Sequence, residues 1–88
     1  KIEIYSKPNC TYCTKSKHLV KSLGFDYTEK MFGKDFKTPD ELFEAVGKQV
    51  RTMPQIIIDD KHIGGYNELV EYFADKGLCN FKGEIIRA

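Results

Sequence analysis

Between Lys1 and Leu23 the hydrophobic repeat changes from two residues to about 3.6, which confines the chain to a strand that feeds directly into a helix. Ile2 and Ile4 alternate with polar neighbours as far as Tyr5, and Ser6-Lys7-Pro8-Asn9 then stops the strand and turns the chain. From Thr11 to Leu23, the residues Tyr12, Ser16, Leu19, Val20 and Leu23 fall on one helical face. Lys15, Lys17 and Lys21 are left for the outer side, and Gly24 is available as a stop. Alternation returns over Phe25 to Met31. Strand, helix and strand in this succession make a β-α-β unit, expected to be right-handed with its strands parallel.

A second helix opens at Thr38-Pro39-Asp40-Glu41, where Thr38 suits the cap, Pro39 the first turn, and Glu41 the return bond of a capping box. Leu42, Phe43 and Val46 supply its inward face and Gly47 its end. Gln55 to Asp59 and His62-Ile63, joined through the turn-prone Asp59-Asp60-Lys61, predict an antiparallel hairpin that Gly64-Gly65 closes. Asn67 is the expected cap of a third helix, which turns Leu69, Val70 and Phe73 inward and stops at Lys76-Gly77. The order is β-α-β-α-β-β-α, an α/β domain with helices covering a mixed sheet. Eighty-eight residues hold one such domain. Residues 1–76 are read as the domain and residues 77–88 as a C-terminal extension packed on it.

Charge and cysteine content narrow the function. Fourteen Lys and Arg against thirteen Asp and Glu leave a net charge of +1, too little for a nucleic-acid groove or an anionic membrane surface. The longest aliphatic run, Ile56-Ile57-Ile58, falls far short of the roughly 20 residues that cross a bilayer. No nucleic-acid or membrane partner is therefore expected. Three cysteines cannot all pair internally, so the chain is no secreted disulfide framework. With no apolar leader before the first strand, the expected setting is a reducing cytoplasm.

Cys10-Thr11-Tyr12-Cys13 falls where the first turn becomes the first helix. Cys10 is thereby placed beside unpaired backbone N–H groups and the positive helix end, with Lys7 as a nearby cation. These features favour a thiolate at neutral pH and make Cys10 the attacking group. Cys13, one turn further in, is within reach of Cys10 but turned toward the protein, which suits a resolving thiol. Half of a zinc site is the alternative use of such a pair, and it needs a second pair of ligands. His18 and His62 stand far apart in sequence and Cys79 adds one thiolate only, so redox chemistry is preferred. His18 is read as a helix-surface residue and His62 as structural.

Three segments then carry a family likeness: Lys7-Pro8-Asn9-Cys10-Thr11-Tyr12-Cys13, Thr52-Met53-Pro54-Gln55 and Gly64-Gly65-Tyr66-Asn67-Glu68-Leu69. In order and spacing the chain resembles a dithiol glutaredoxin of the short bacterial or bacteriophage type, over about Ile2 to Lys76. The resemblance implies a thioredoxin-like fold, a four-stranded mixed sheet flanked by three helices. It implies a glutathione-disulfide oxidoreductase that reduces protein disulfides and glutathione mixed disulfides through Cys10 and Cys13, with glutathione as reductant. It also implies a cis bond before Pro54, which would turn the backbone of Met53 toward Cys10 to pair with the cysteinyl part of glutathione.

By the same likeness the start of the last helix, Gly65-Tyr66-Asn67-Glu68, takes the γ-glutamyl carboxylate. Asn67 stands where the family usually has Asp, keeping a cap but losing a charge, for which Glu68 is expected to compensate. Lys7 and Gln49 are expected to hold the glycine carboxylate, with Arg51 a weaker candidate, Tyr12 is expected to pack beside the mixed disulfide, and Thr52 is counted among the glutathione-binding residues. The partners implied are glutathione and disulfide-containing or glutathionylated proteins, with ribonucleotide reductase a reasonable acceptor. A monomer is expected, in the cytoplasm, or in a host's cytoplasm if the chain is phage-encoded. Thr11 stands where many dithiol members carry Pro. It supports a competing reading in which Cys10 and glutathione ligate a [2Fe–2S] cluster between two subunits. Another keeps the reaction but takes electrons from thioredoxin reductase. Cys79 is expected to pack the tail, against the alternative of a regulatory thiol.

Overall fold

The structure, a computed structural model, describes residues 1–85. Strand β1 (Ile2–Ser6) leads into helix α1 (Thr11–Ser22) and strand β2 (Thr28–Met31). Helix α2 (Pro39–Val46), the hairpin β3 (Gln55–Ile58) and β4 (Lys61–Gly64), and helix α3 (Tyr66–Asp75) follow. The sheet order is β2-β1-β3-β4, with β1 parallel to β2 and antiparallel to β3, and β3 antiparallel to β4. This is the expected mixed four-stranded sheet with three helices, the thioredoxin-like arrangement. No helix among the described residues is long and apolar enough to cross a membrane.

Period-2 geometry divides the core between the two faces of the sheet. Ile4 and Ile56, both 0% exposed, join Leu19 and Val20 of α1 and Leu69, Val70 and Phe73 of α3 on one face. Ile57 turns the other way, to Phe36, Leu42 and Val46 under α2. Every residue of β3 is buried, because this strand is central and covered on both sides. Between β3 and β4, Asp59 (φ 51°) and Asp60 (φ 67°) are both left-handed, the backbone that a two-residue hairpin turn requires for strands of normal twist.

Helix ends follow the sequence at four of the five places it marks, with Gly47 ending α2 and Lys76 ending α3 as expected. Gly24, at φ 85°, closes α1 with a paired set of bonds, its own N–H to the Lys21 carbonyl and the Phe25 N–H to the Val20 carbonyl. Phe25 is thus committed to the helix end and its ring stacks on Phe73 at 5.8 Å, so β2 begins at Thr28 rather than at Phe25 as expected. Thr38 and Glu41 form the expected capping box of α2, with Pro39 in the first turn. At the start of α3 the expectation fails. Gly65, not Asn67, is the N-cap, and the cap bond runs from the Gly65 N–H to the Glu68 carboxylate at 2.8 Å. Asn67 lies inside the first turn, exposed.

Past α3 the chain is ordered by its own contacts. Cys79 is 1% exposed within the main core, and it pairs with Ile85 as an isolated antiparallel bridge. The expected extension over residues 77–88 is described as far as Ile85, and residues 86–88 lie outside the described residues.

Candidate active site

The site forms where the C-terminal end of β1 meets the N-terminal end of β3, a proximity dictated by their antiparallel register, Tyr5 opposite Gln55. Beyond β1 the chain turns through Lys7-Pro8-Asn9, with Asn9 left-handed at φ 57°, and delivers Cys10 as the N-cap of α1. Cysteine takes here the capping role usual for Ser or Asp, its sulfur accepting the Cys13 N–H at 3.2 Å. A sulfur so placed is stabilised as an anion by that donor and by the helix end. Cys10 and Cys13 are joined as a disulfide, their Cα atoms 5.2 Å apart. Cys13 is 2% exposed and Cys10 partly exposed, so attack from solvent can reach only the first sulfur.

Before β3, the Met53–Pro54 bond is cis. The Met53 carbonyl oxygen stands 3.7 Å from Cys10 Sγ, and Pro54 is buried. From there a groove of about 220 Å³ runs to the start of α3, lined by Tyr12, Thr52, Met53, Pro54, Gly65, Tyr66, Asn67 and Glu68. Gly65 permits the close approach of the two sides: a Cβ there would stand 3.3 Å from Glu68 Oε1 and 3.5 Å from the Pro54 carbonyl. The inward place in α1 that the periodicity gave to Tyr12 belongs to Cys13. Tyr12 itself is 54% exposed and packs on Tyr66 with ring centres 5.8 Å apart. Lys15 Nζ lies 5.2 Å from the centre of the Tyr12 ring.

The charged candidates are dispersed. Lys7 lines a groove with Cys10 and Cys13, and on the far side of Met53 it shares an apolar recess with Arg51. Gln49 instead lines a groove with Lys48, Gln55 and His62, which meets the first groove at Thr52, Gly65 and Glu68. Arg51, read as the weaker anion-binding candidate, lines both the recess with Lys7 and the groove with Gln49.

Sequence reasoning missed a brace behind the cis-proline loop. Gln55 Nε2 donates to the Thr52 carbonyl at 2.7 Å, and Gln55 Oε1 is 2.7 Å from His62 Nε2. Burial, with Lys48 adding to it, pushes the His62 pKa down, so the ring is neutral at pH 7 and acts as donor to the amide oxygen. His62 is thereby structural, as expected. No spacing rule links a strand-end Gln to a hairpin His, and only their side-chain contact exposes the link. His18 is on the exposed face of α1. Burial pushes the Cys79 thiol up, and its sulfur is 3.6 Å from the Val70 carbonyl oxygen.

A cysteine pair with one accessible sulfur, beside a cis-proline loop and an open helix end, is arranged for thiol–disulfide exchange. The glutaredoxin family profile matches residues 2–63, which include both cysteines and Pro54. The chain belongs to the glutaredoxin family. A glutaredoxin of Haemophilus influenzae is 39% identical over 69 residues, spanning 73% of this chain and 79% of that protein. Among solved structures, reduced Escherichia coli glutaredoxin superposes with a TM-score of 0.74 at 30% identity, covering 84% of this chain and 93% of that one. A buckwheat glutaredoxin–glutathione complex gives 0.70 at 29% identity, covering 85% of this chain and 69% of the other. Glutaredoxins are thiol-disulfide oxidoreductases, and this one carries the redox-active pair as Cys10 and Cys13.

Proposed function

We propose that this glutaredoxin is reduced by glutathione and acts on protein disulfides and on glutathione–protein mixed disulfides. The observation that carries the reading is the position of Cys10 Sγ, 3.2 Å from the Cys13 N–H and 3.7 Å from the carbonyl oxygen of Met53, a residue that lines the groove leading to α3. In the dithiol route the Cys10 thiolate attacks one sulfur of a protein disulfide, forming a mixed disulfide and releasing a substrate thiolate. Cys13 then attacks Cys10 Sγ, the second substrate thiol departs, and the Cys10–Cys13 disulfide remains. Two glutathione molecules reduce that disulfide and leave as glutathione disulfide, so each cycle moves two electrons. In the monothiol route Cys10 takes the glutathionyl group from a protein, and a second glutathione thiolate removes it.

The groove suits a peptide-like ligand with carboxylates at both ends. Backbone N–H and C=O of Met53 are available to an extended cysteinyl segment, as one strand is to another. At α3, free N–H groups and the helix dipole suit the γ-glutamyl carboxylate. The outer oxygen of Glu68 suits the neighbouring ammonium, in place of the charge that Asn67 lacks. Lys7, with Arg51 beside it, suits the glycine carboxylate. Tyr12 lines the groove beside Met53, and Gln49 lines an adjoining groove with Arg51 that meets it at Thr52, Gly65 and Glu68, so Gln49 stays a candidate for the same carboxylate.

The test is NADPH consumption with glutathione, glutathione reductase and a small mixed disulfide, alongside insulin reduction, for wild type, Cys10→Ser and Cys13→Ser. Wild type is expected to turn over both substrates, Cys10→Ser neither, and Cys13→Ser the mixed disulfide only. Loss of all activity in Cys13→Ser, or wild-type turnover that ignores glutathione, contradicts the reading.

A further inference from the structure

The tail that follows α3 reaches the wall of the groove at Tyr66. Asn80 folds residues 79–85 into a small loop: its Oδ1 accepts the N–H groups of Lys82 at 2.9 Å and Glu84 at 3.0 Å, and its own N–H donates to the Glu84 carbonyl at 2.9 Å. The Cys79–Ile85 bridge closes the loop, and the burial of Cys79 ties it to the core. Gly83 sits at the turn with φ 84°, and it faces Tyr66. A Cβ on Gly83 would stand 2.8 Å from Tyr66 Oη, inside any normal contact, whereas the next neighbour, Val70 Cγ2, would be at 3.7 Å. Tyr66 in turn packs on Tyr12, between the two redox cysteines in sequence. Gly83, Tyr66 and Tyr12 are therefore in continuous contact from the tail to the redox segment.

We propose that Gly83 is a positioning residue for the tyrosine pair: lacking a side chain, it lets the tail close on Tyr66, which holds Tyr12 and Tyr66 at the spacing that admits glutathione to Cys10. The inference rests on the glutathione reading above. The atom met is the tip of a half-buried side chain, so the Tyr66 ring is what gives way to a methyl here, and its movement from the tail side narrows or tilts the groove wall. Its effect falls on ligand binding more than on the sulfur chemistry, because neither Cys10 nor Cys13 touches the tail contact.

The experiment compares Gly83→Ala with Gly77→Ala, a tail glycine at φ 76° whose added Cβ would meet nothing within 4 Å. Both carry left-handed strain, but only the first meets Tyr66. Gly83→Asn and Gly77→Asn repeat the comparison with a side chain that tolerates positive φ, which keeps the test available if the alanine variant folds poorly. The Gly83 variants are expected to raise KM for glutathione about three- to tenfold with kcat within about twofold, and to shift the Tyr12 ring resonances in NMR spectra. The Gly77 variants are expected to lower the melting temperature without either change. In a Tyr66→Phe background the Oη is gone, so Gly83→Ala is expected to add less than about a twofold change in KM.

Unmoved KM and Tyr12 resonances in the Gly83 variants, an equal KM rise in the Gly77 variants, or a full effect persisting in Tyr66→Phe would each overturn the proposal. Wild type that reduces protein disulfides with another reductant but not with glutathione overturns the glutathione reading and this inference with it. Wild-type glutathione turnover with an unmoved KM in Gly83→Ala overturns this inference alone.

Discussion

Replacing Glu68 by Ala takes two stabilising contributions from the start of α3. Its Oε1 accepts the Gly65 N–H at 2.8 Å, and Gly65 has no side chain with which to cap the helix itself. Loss of a capping acceptor costs about 1 kcal/mol, and loss of a carboxylate from the first turn about 0.5 kcal/mol more. Together these are about 1.5 kcal/mol, which in a domain of this size lowers the melting temperature by roughly 6–12 °C. Glu68→Gln keeps an oxygen acceptor and loses only the charge, so its expected shift is about 0.5 kcal/mol, a few degrees, and disappears in high salt. Thermal unfolding followed by circular dichroism at low and high salt separates the two variants. Equal melting of Ala and Gln variants would refute the cap, and an Ala variant as stable as wild type would refute both contributions. In the glutathione assay both variants are expected to raise KM, because each removes the charge proposed to meet the ligand ammonium.

Two further predictions rest on titratable groups. Backbone N–H donors of Lys37 and then Thr38 hold the Glu41 carboxyl below the ordinary carboxylate range. Its contribution is therefore fully present above the unfolded-state pKa and is lost as pH falls through the lower folded value; the melting-temperature gap between wild type and Glu41→Gln is expected to shrink as pH falls from 7 toward 3, and a gap that widens on acidification contradicts the assignment. Cys79 is buried with its thiol pushed up, so native protein treated with oxidised glutathione is expected to show no mass added at Cys79, and glutathionylation there before unfolding would contradict that.

Much of the fold was legible because it is written in local patterns. The period change around Ser6 to Asn9, the Thr38–Glu41 box and the Asp59-Asp60 turn each specify geometry within a few residues, and each is found in place. The start of α3 was misread because Asn67 has cap chemistry, whereas the real cap is a glycine whose partner reaches back from three residues on. Tyr12 was misplaced because adjacent helix positions stand about 100° apart, so the inward turn expected of Cys13 leaves the neighbouring ring outside. The redox pair announced itself by spacing. The distribution of Lys7, Arg51 and Gln49 did not, since Arg51 lines both the recess of Lys7 and the groove of Gln49, which no local pattern specifies. The Gly83 contact lies beyond both, because it joins a tail to a helix start through two residues with no local signature.

The antiparallel pairing of β1 with β3 has a consequence for how the enzyme fails. Cys10 and Met53 belong to different loops, yet their separation is set by the two central strands of the sheet, with Ile4 opposite Ile56 in the driest part of the core. While that pair is intact the strand ends that carry the two loops keep their spacing. Fraying at β2 leaves the reacting sulfur and its neighbouring carbonyl in register, and β4 is tied to the cis-proline loop by the His62–Gln55–Thr52 bonds, so it does not loosen apart from the site. Heat or denaturant should therefore silence the protein in one step, at the same midpoint at which the whole domain melts, with no inactive but still folded species accumulating beforehand.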